Sequence, residues 1–208
     1  MNIRFHVYCA FAFVALACSA RAVSFNFTTI HSGDTPAGPS PYATLDVTQN
    51  GANNVKFTLY AGNLGASEFI SFFKYNVTGS ATAPAITPTI LIGVGGTPTF
   101  GFSSSPANDA GLGFDAEVQF ETSNSGGGVN RFKDEEVFVF NLARTGLLVS
   151  AIEVPMMIHI QGLANNGSSK VIGTLQSTPS PGVPDSGDSV ALLGIALVAT
   201  AFLRRKLA

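Results

Sequence analysis

The chain has 208 residues, 46% of them hydrophobic and only 12% charged, with a formal net charge of −2 at pH 7. Between Val23 and Gly182 eleven acidic side chains stand against six basic ones, a net of about −5, which argues against nucleic acid or anionic lipid as the main partner. Both cysteines, Cys9 and Cys18, precede that stretch, which also lacks Trp, so a fold formed there rests on its hydrophobic core without a disulfide.

Taken in order, residues 1–22 read as a signal peptide. Arg4 and the amino terminus supply a positive n-region, Val7 to Ala17 an apolar h-region, and Ala20-Arg21-Ala22 an A-x-A cleavage site. Cleavage is expected after Ala22, with Ala20 as the alternative, and export through the Sec translocon follows. About 160 residues remain before the tail, enough for one domain that buries roughly two-thirds of its unfolded surface.

That stretch reads as strands almost throughout. Ala43, Leu45 and Val47 alternate with Thr44, Asp46 and Thr48, and Val55, Phe57 and Leu59 alternate with Lys56 and Thr58. Period two is the strand period, and Asn50-Gly51-Ala52-Asn53-Asn54 between them has hairpin chemistry. From Phe114 to Glu121 the alternation is cleanest: Phe114, Ala116, Val118 and Phe120 on one face, Asp115, Glu117, Gln119 and Glu121 on the other. Further strands are expected over 24–30, 69–77, 86–94, 136–143, 156–162 and 170–175, all rich in Phe, Ile, Val or Thr and bounded by turn residues. Val137 to Phe140 is apolar on both faces and is expected at the centre of a sheet. Only 61–68 and 145–152 offer helix candidates, both weakened by glycine. The fold expected is all-β, an antiparallel β-sandwich of jelly-roll kind spanning 23–176.

The chemistry legible in this domain is sparse. His31 and His159 remain, and His159 alternates with Met157 and Gln161 on the more polar side of its strand, with no nucleophile or second ligand nearby in sequence. Gly126-Gly127-Gly128 and Gly93-Val94-Gly95-Gly96 lack the Lys-Ser/Thr or the helix that a phosphate cradle needs, and read as loops with unusual backbone angles. Asp115, Glu117 and Glu121, with Asn108 and Asp109 just before, offer oxygen ligands for Ca²⁺, but their spacing matches no fixed loop pattern and a solvated strand face is the plainer reading. No catalytic residue, metal ligand or cofactor is assigned.

The end of the chain has three parts. Residues 177–189 form a Pro/Ser/Gly linker carrying Val183-Pro184-Asp185-Ser186-Gly187; an uncharged run from Val190 to Leu203 follows, then Arg204, Arg205 and Lys206. Val190, Leu192, Leu193, Ile195, Leu197, Val198, Phe202 and Leu203 make the run costly to leave in water. As a helix it reaches roughly 20 Å, short of the ~30 Å hydrocarbon core, so spanning relies on snorkelling by the basic cluster and local thinning. Residues 190–208 are thus expected to form a single transmembrane helix with a cytoplasmic basic end, the domain lying across the membrane.

This tail resembles the VPDSG variant of the PEP-CTERM class of bacterial sorting signals, in which a short Val-Pro motif precedes a transmembrane segment and an Arg-rich end. The resemblance implies recognition by an exosortase, a membrane-embedded processing enzyme of exopolysaccharide-producing bacteria. The body also resembles a recurrent kind of PEP-CTERM protein, through Phe114 to Phe120, Thr122-Ser123-Asn124-Ser125-Gly126-Gly127-Gly128, Arg131-Phe132 leading into Glu136 to Leu142, and His159-Ile160-Gln161-Gly162-Leu163. It brings no known activity. Together these readings predict an exported, non-catalytic protein of the cell surface or extracellular matrix, structural or adhesive, associated with exopolysaccharide. The alternatives are a carbohydrate-binding module, weakened by the lack of Trp, and a secreted hydrolase.

Overall fold

The computed structural model describes residues 22–78, 87–102, 109 and 111–176. Its ten strands, all within one compact unit, are β1 (Ala22–Gly33), β2 (Ala43–Gln49), β3 (Asn54–Ala61), β4 (Phe69–Val77), β5 (Thr87–Ile92), β6 (Thr99–Phe102), β7 (Ala116–Gln119), β8 (Val137–Ala143), β9 (Ile152–Gln161) and β10 (Ser168–Leu175). Every pairing is antiparallel, and the strands form one hydrogen-bonded sheet in the order β5-β8-β3-β2-β1-β10-β9-β4-β7-β6. The all-β antiparallel class is thus as the periodicity predicts. The signal helix and the transmembrane helix expected at the two ends lie outside the described residues.

Alternation decides which side chains meet in the core. Leu45 and Val47 of β2, Val55, Phe57 and Leu59 of β3, and Ala116 and Val118 of β7 are buried in one cluster with Phe25 and Phe27 of β1. Rings from strands that share no hydrogen bonds touch across it. Phe57 of β3 lies 5.2 Å from Tyr75 and 6.4 Å from Phe73, both on β4, and Phe27 meets Phe73 edge-on at 6.2 Å. Phe100 on the edge strand β6 reaches Phe138 and Phe140 of β8, at 6.3 and 5.3 Å, beside the opposite edge. The two ends of the sheet therefore curl toward each other, and the sheet is nearly closed around an aromatic core.

Several local expectations change. The helix candidate at 61–68 is a turn with Asn63 in the left-handed region, fastened by the buried Glu68 carboxylate, which accepts from Ala37 N at 2.8 Å and Gly65 N at 2.7 Å. The candidate at 145–152 gives only a 3-10 turn, Val149–Ala151, before β9 starts. β9 begins at Ile152, ahead of the expected 156, because it pairs with β4 across an irregularity that accommodates Pro155. β8 lies beside the edge strand, not at the centre. Val139 on its second face is still buried, since burial of both faces depends on what covers a strand and not on its rank in the sheet. β6 was too short, and too interrupted by Gly101, to show a period.

The stacked pair Phe57–Phe140, 4.7 Å apart at 15°, joins β3 to β8 in the middle of this core. Phe57→Ala is expected to destabilise the protein by about 3–5 kcal/mol, the range for truncating a buried aromatic. Urea unfolding followed by tyrosine fluorescence measures the loss, and a change under about 1 kcal/mol would contradict the packing described.

Candidate functional site

At one end of the sheet β4 begins, β9 ends and β10 begins: Phe69 is in register with Gln161, and Gln161 with Ser168. The long β7–β8 connection and the short β9–β10 turn both contribute side chains beside this corner. With the strand ends they line an open groove of about 830 Å³.

Arg131 is the charged residue of that lining. Its guanidinium lies 4.1 Å from the centroid of Phe69, and its Nε and Nη2 both donate to the carbonyl oxygen of Thr122, at 3.2 and 2.8 Å. Stacking and a two-pronged hydrogen bond thus hold the fork in place, and its other N–H donors remain. Among the described residues no carboxylate pairs with it. The rest of the polar lining is uncharged: Asn124, Gln161, Asn165 and Asn166 bring amides, Ser67, Thr122 and Ser168 hydroxyls.

The local backbone explains how these groups come together. Gly162 has φ +80° and sits so close to Ser67 that a Cβ there would lie 2.2 Å from the Ser67 carbonyl oxygen, and Ser67 Oγ donates to the Gly162 carbonyl at 2.8 Å. Gly126, Gly127 and Gly128 all have positive φ, as expected of a loop with unusual angles, and a Cβ at Gly128 would crowd Arg131 Cδ at 2.9 Å. Gly95 and Gly96 serve a different purpose: a Cβ at Gly95 would meet Val129 O at 2.3 Å, so that turn is glycine-rich to let the β7–β8 connection approach, with no positive φ involved.

His159 belongs to a second cluster, on the face of the sheet turned away from the core. The rows Gln119–Phe72–His159–Lys170 and Glu117–Lys74–Met157–Ile172 cross β7, β4, β9 and β10 in register. Asp109 reaches over this face to accept from Lys74 at 2.7 Å and also pairs with Lys170, while Glu117 pairs with Lys74 at 3.0 Å. His159 stacks on Phe72 at 4.7 Å and shares a 2.8 Å hydrogen bond between its Nδ1 and Ser71 Oγ. Burial, then the Lys170 cation, pushes the imidazole below its ordinary range, so it is neutral at pH 7. Burial would raise Asp109 and lower Lys74, but their mutual hydrogen bonds and those to Lys170 and Glu117 prevail, leaving Asp109 below and Lys74 above their ordinary values.

The carboxylates considered for Ca²⁺ are engaged within the protein. Asp109 and Glu117 hold lysines, Asp115 accepts from Val77 N at 3.1 Å, and Glu121 accepts from Ser123 N at 2.7 Å. Among the described residues no group of three or more acidic, His or Cys side chains is arranged to hold a metal ion. His31 lies exposed near the end of β1. Ala22 is the exposed first residue of β1, in register with Thr48. Ala20, the motif Val183 to Gly187, the anchor residues from Val190 to Leu203, and Arg204, Arg205 and Lys206 lie outside the described residues. Among those described, no helix is long and apolar enough to cross a membrane.

Comparison with protein-family models, with curated proteins and with solved structures finds no match to this chain.

The charged face makes stability depend on pH in a definite direction. Asp109, lowered on folding, contributes fully above pH ~4, and that contribution is lost as pH falls through its folded value. His159, also lowered, resists protonation, so stability falls as pH drops through ~6.5. Lys74, raised on folding, contributes fully below pH ~10.4 and its share is lost as pH rises through its higher folded value. Urea unfolding across this range is expected to show a plateau from about pH 7 to 10. Asp109→Asn is expected to cost about 1.5–3 kcal/mol at pH 7 and to flatten the acid limb near 4, and His159→Gln to flatten the limb near 6.5. An unchanged acid limb in Asp109→Asn would contradict the network.

Proposed function

We propose that this is an exported, non-catalytic protein of the cell surface or extracellular matrix, delivered by its signal peptide through the Sec translocon, held by a C-terminal transmembrane helix and processed by an exosortase. Its β-unit is read as a sandwich-like scaffold of broadly jelly-roll kind, flanked by those two helices. Its role is adhesive, toward exopolysaccharide.

One observation carries the adhesive part. Of the stretches through which the body resembles PEP-CTERM proteins, residues 122–128 and 131–132 share one connection while 159–163 lies some thirty residues further on, and Thr122, Asn124, Arg131, Gln161, Gly162 and Leu163 meet in one groove. Amides, hydroxyls and a fixed guanidinium suit the hydroxyl-rich surface of a sugar. This also favours the carbohydrate-binding alternative, which here becomes the means of adhesion.

Phe25 pairs with Leu175, and Gln176 N donates to Ser24 O at 2.8 Å, so the folded unit closes its own first and last strands beside each other just inside the proposed leader and linker.

Mass spectrometry of the protein from its native host tests the proposal. The mature chain is expected to begin at Val23, or at Arg21 if Ala20 is used, and to end within or beside Val183 to Gly187, with Pro184→Ala retaining the tail. Surface material that carries the chain through Ala208 would overturn exosortase processing.

A further inference from the structure

We infer that the groove takes a glycan bearing an isolated carboxylate, such as a single uronic acid flanked by neutral sugars, with Arg131 as the anchor for that carboxylate. The inference rests on the adhesive reading above and specifies its ligand.

Arg131 is the sole charged side chain among the described residues that line the groove, and no carboxylate among the described residues pairs with it; the Asp34 carboxylate abuts the lining residue Gly167 and adds a negative charge beside it. The cluster one row further along the same strands differs, since there Lys74 and Lys170 are both paired with acids. A guanidinium presents a planar fork that fits a carboxylate through two parallel hydrogen bonds, and here stacking on Phe69 and the Thr122 carbonyl have already fixed its plane. Less rotamer freedom is then lost on binding. The neighbouring Asn124, Gln161, Asn165 and Asn166 each carry both donors and acceptors, which neutral hydroxyls require.

Charge limits how acidic the ligand is. The segment from Val23 to Gly182 carries about −5, so a dense polyuronate meets repulsion from the whole unit while only one fixed cation in the groove attracts it. One carboxylate among neutral residues meets the attraction with little of the repulsion. The few exposed apolar surfaces in the lining, with Phe69 buried beneath the guanidinium, also place the specificity in hydrogen bonds and the single ion pair.

Calorimetry of the full-length chain in detergent, with four probes, tests this. Gellan oligosaccharides, with one glucuronate per repeat, are expected to bind; carboxyl-reduced gellan to bind at least ~tenfold more weakly; alginate and free glucuronate to bind more weakly than gellan. Arg131→Lys, which keeps the charge and loses the fork, is expected to bring gellan down to the level of its reduced form. Gln161→Glu, which adds a negative charge at the lining with little change of shape, is expected to weaken gellan but not the reduced form. Thermal unfolding confirms that both variants fold. Equal binding of gellan and its reduced form would overturn the carboxylate anchor and leave a neutral-glycan groove. Tighter binding of alginate, or glucuronate matching gellan, would overturn the isolated-carboxylate specificity. Failure of every probe, with a neutral dextran also silent, would remove the adhesive reading with it.

Discussion

The structure depends on aromatic rings that meet across the inside of a single sheet. Phe57, Phe73, Tyr75 and Phe140 form the middle of that contact, and Phe100, Phe138 and Phe120 continue it toward the two edges. An open ten-stranded ribbon would leave both edge strands and one whole apolar face in water. Ring pairs contribute about 0.5–1.5 kcal/mol each beyond the area they bury, and here they also set how far the sheet curls. With no cysteine after Cys18, nothing covalent shares that task. Tyr75 is buried with the rings, and burial raises its hydroxyl well above the ordinary range, so it stays neutral within the core.

Pairing between neighbouring strands fixes the groove. β4, β9 and β10 are neighbours, so the positions of Phe69, Gln161 and Ser168 follow from ladder register. The β7–β8 connection is longer and less regular, but it is pinned twice: Phe132 bridges to Ile70, and Gly95 and Gly96 allow the preceding turn to press against Val129 and Asn130. Arg131 lies between these two supports. A side chain on a connection held in this way shares the rigidity of the sheet beneath it, which the proposed binding role requires.

Local pattern carried much of the fold into view. β2 has the bounds that alternation predicts and β4 those that its composition and flanking turn residues predict, the Asn50 to Asn54 turn closes with Asn50 N donating to Asn54 O at 2.8 Å, and the Phe114 to Phe120 face is buried as its period implies. What escaped was non-local. Four residues with a central glycine do not establish a period, so β6 was missed, and Lys74 gives no sign in its own neighbourhood that Asp109 and Glu117 cover it. The groove was hidden for the same reason. Phe69, Arg131 and Gln161 are brought together only by pairing between strands distant in sequence, and no short motif records that an arginine will stack on a phenylalanine some sixty residues earlier.

Aromatic proton NOEs in protein with selectively labelled Phe and Tyr test the closure most directly. Phe57 with Tyr75, and Phe100 with Phe140, belong to strands that share no hydrogen bonds, and both pairs lie close enough for strong cross-peaks, at 5.2 and 5.3 Å between centroids. A closed sheet shows both sets of cross-peaks. Their absence, in a protein that still shows the β1–β2 and β9–β10 ladder NOEs, would mean that the sheet is open and would contradict the aromatic closure.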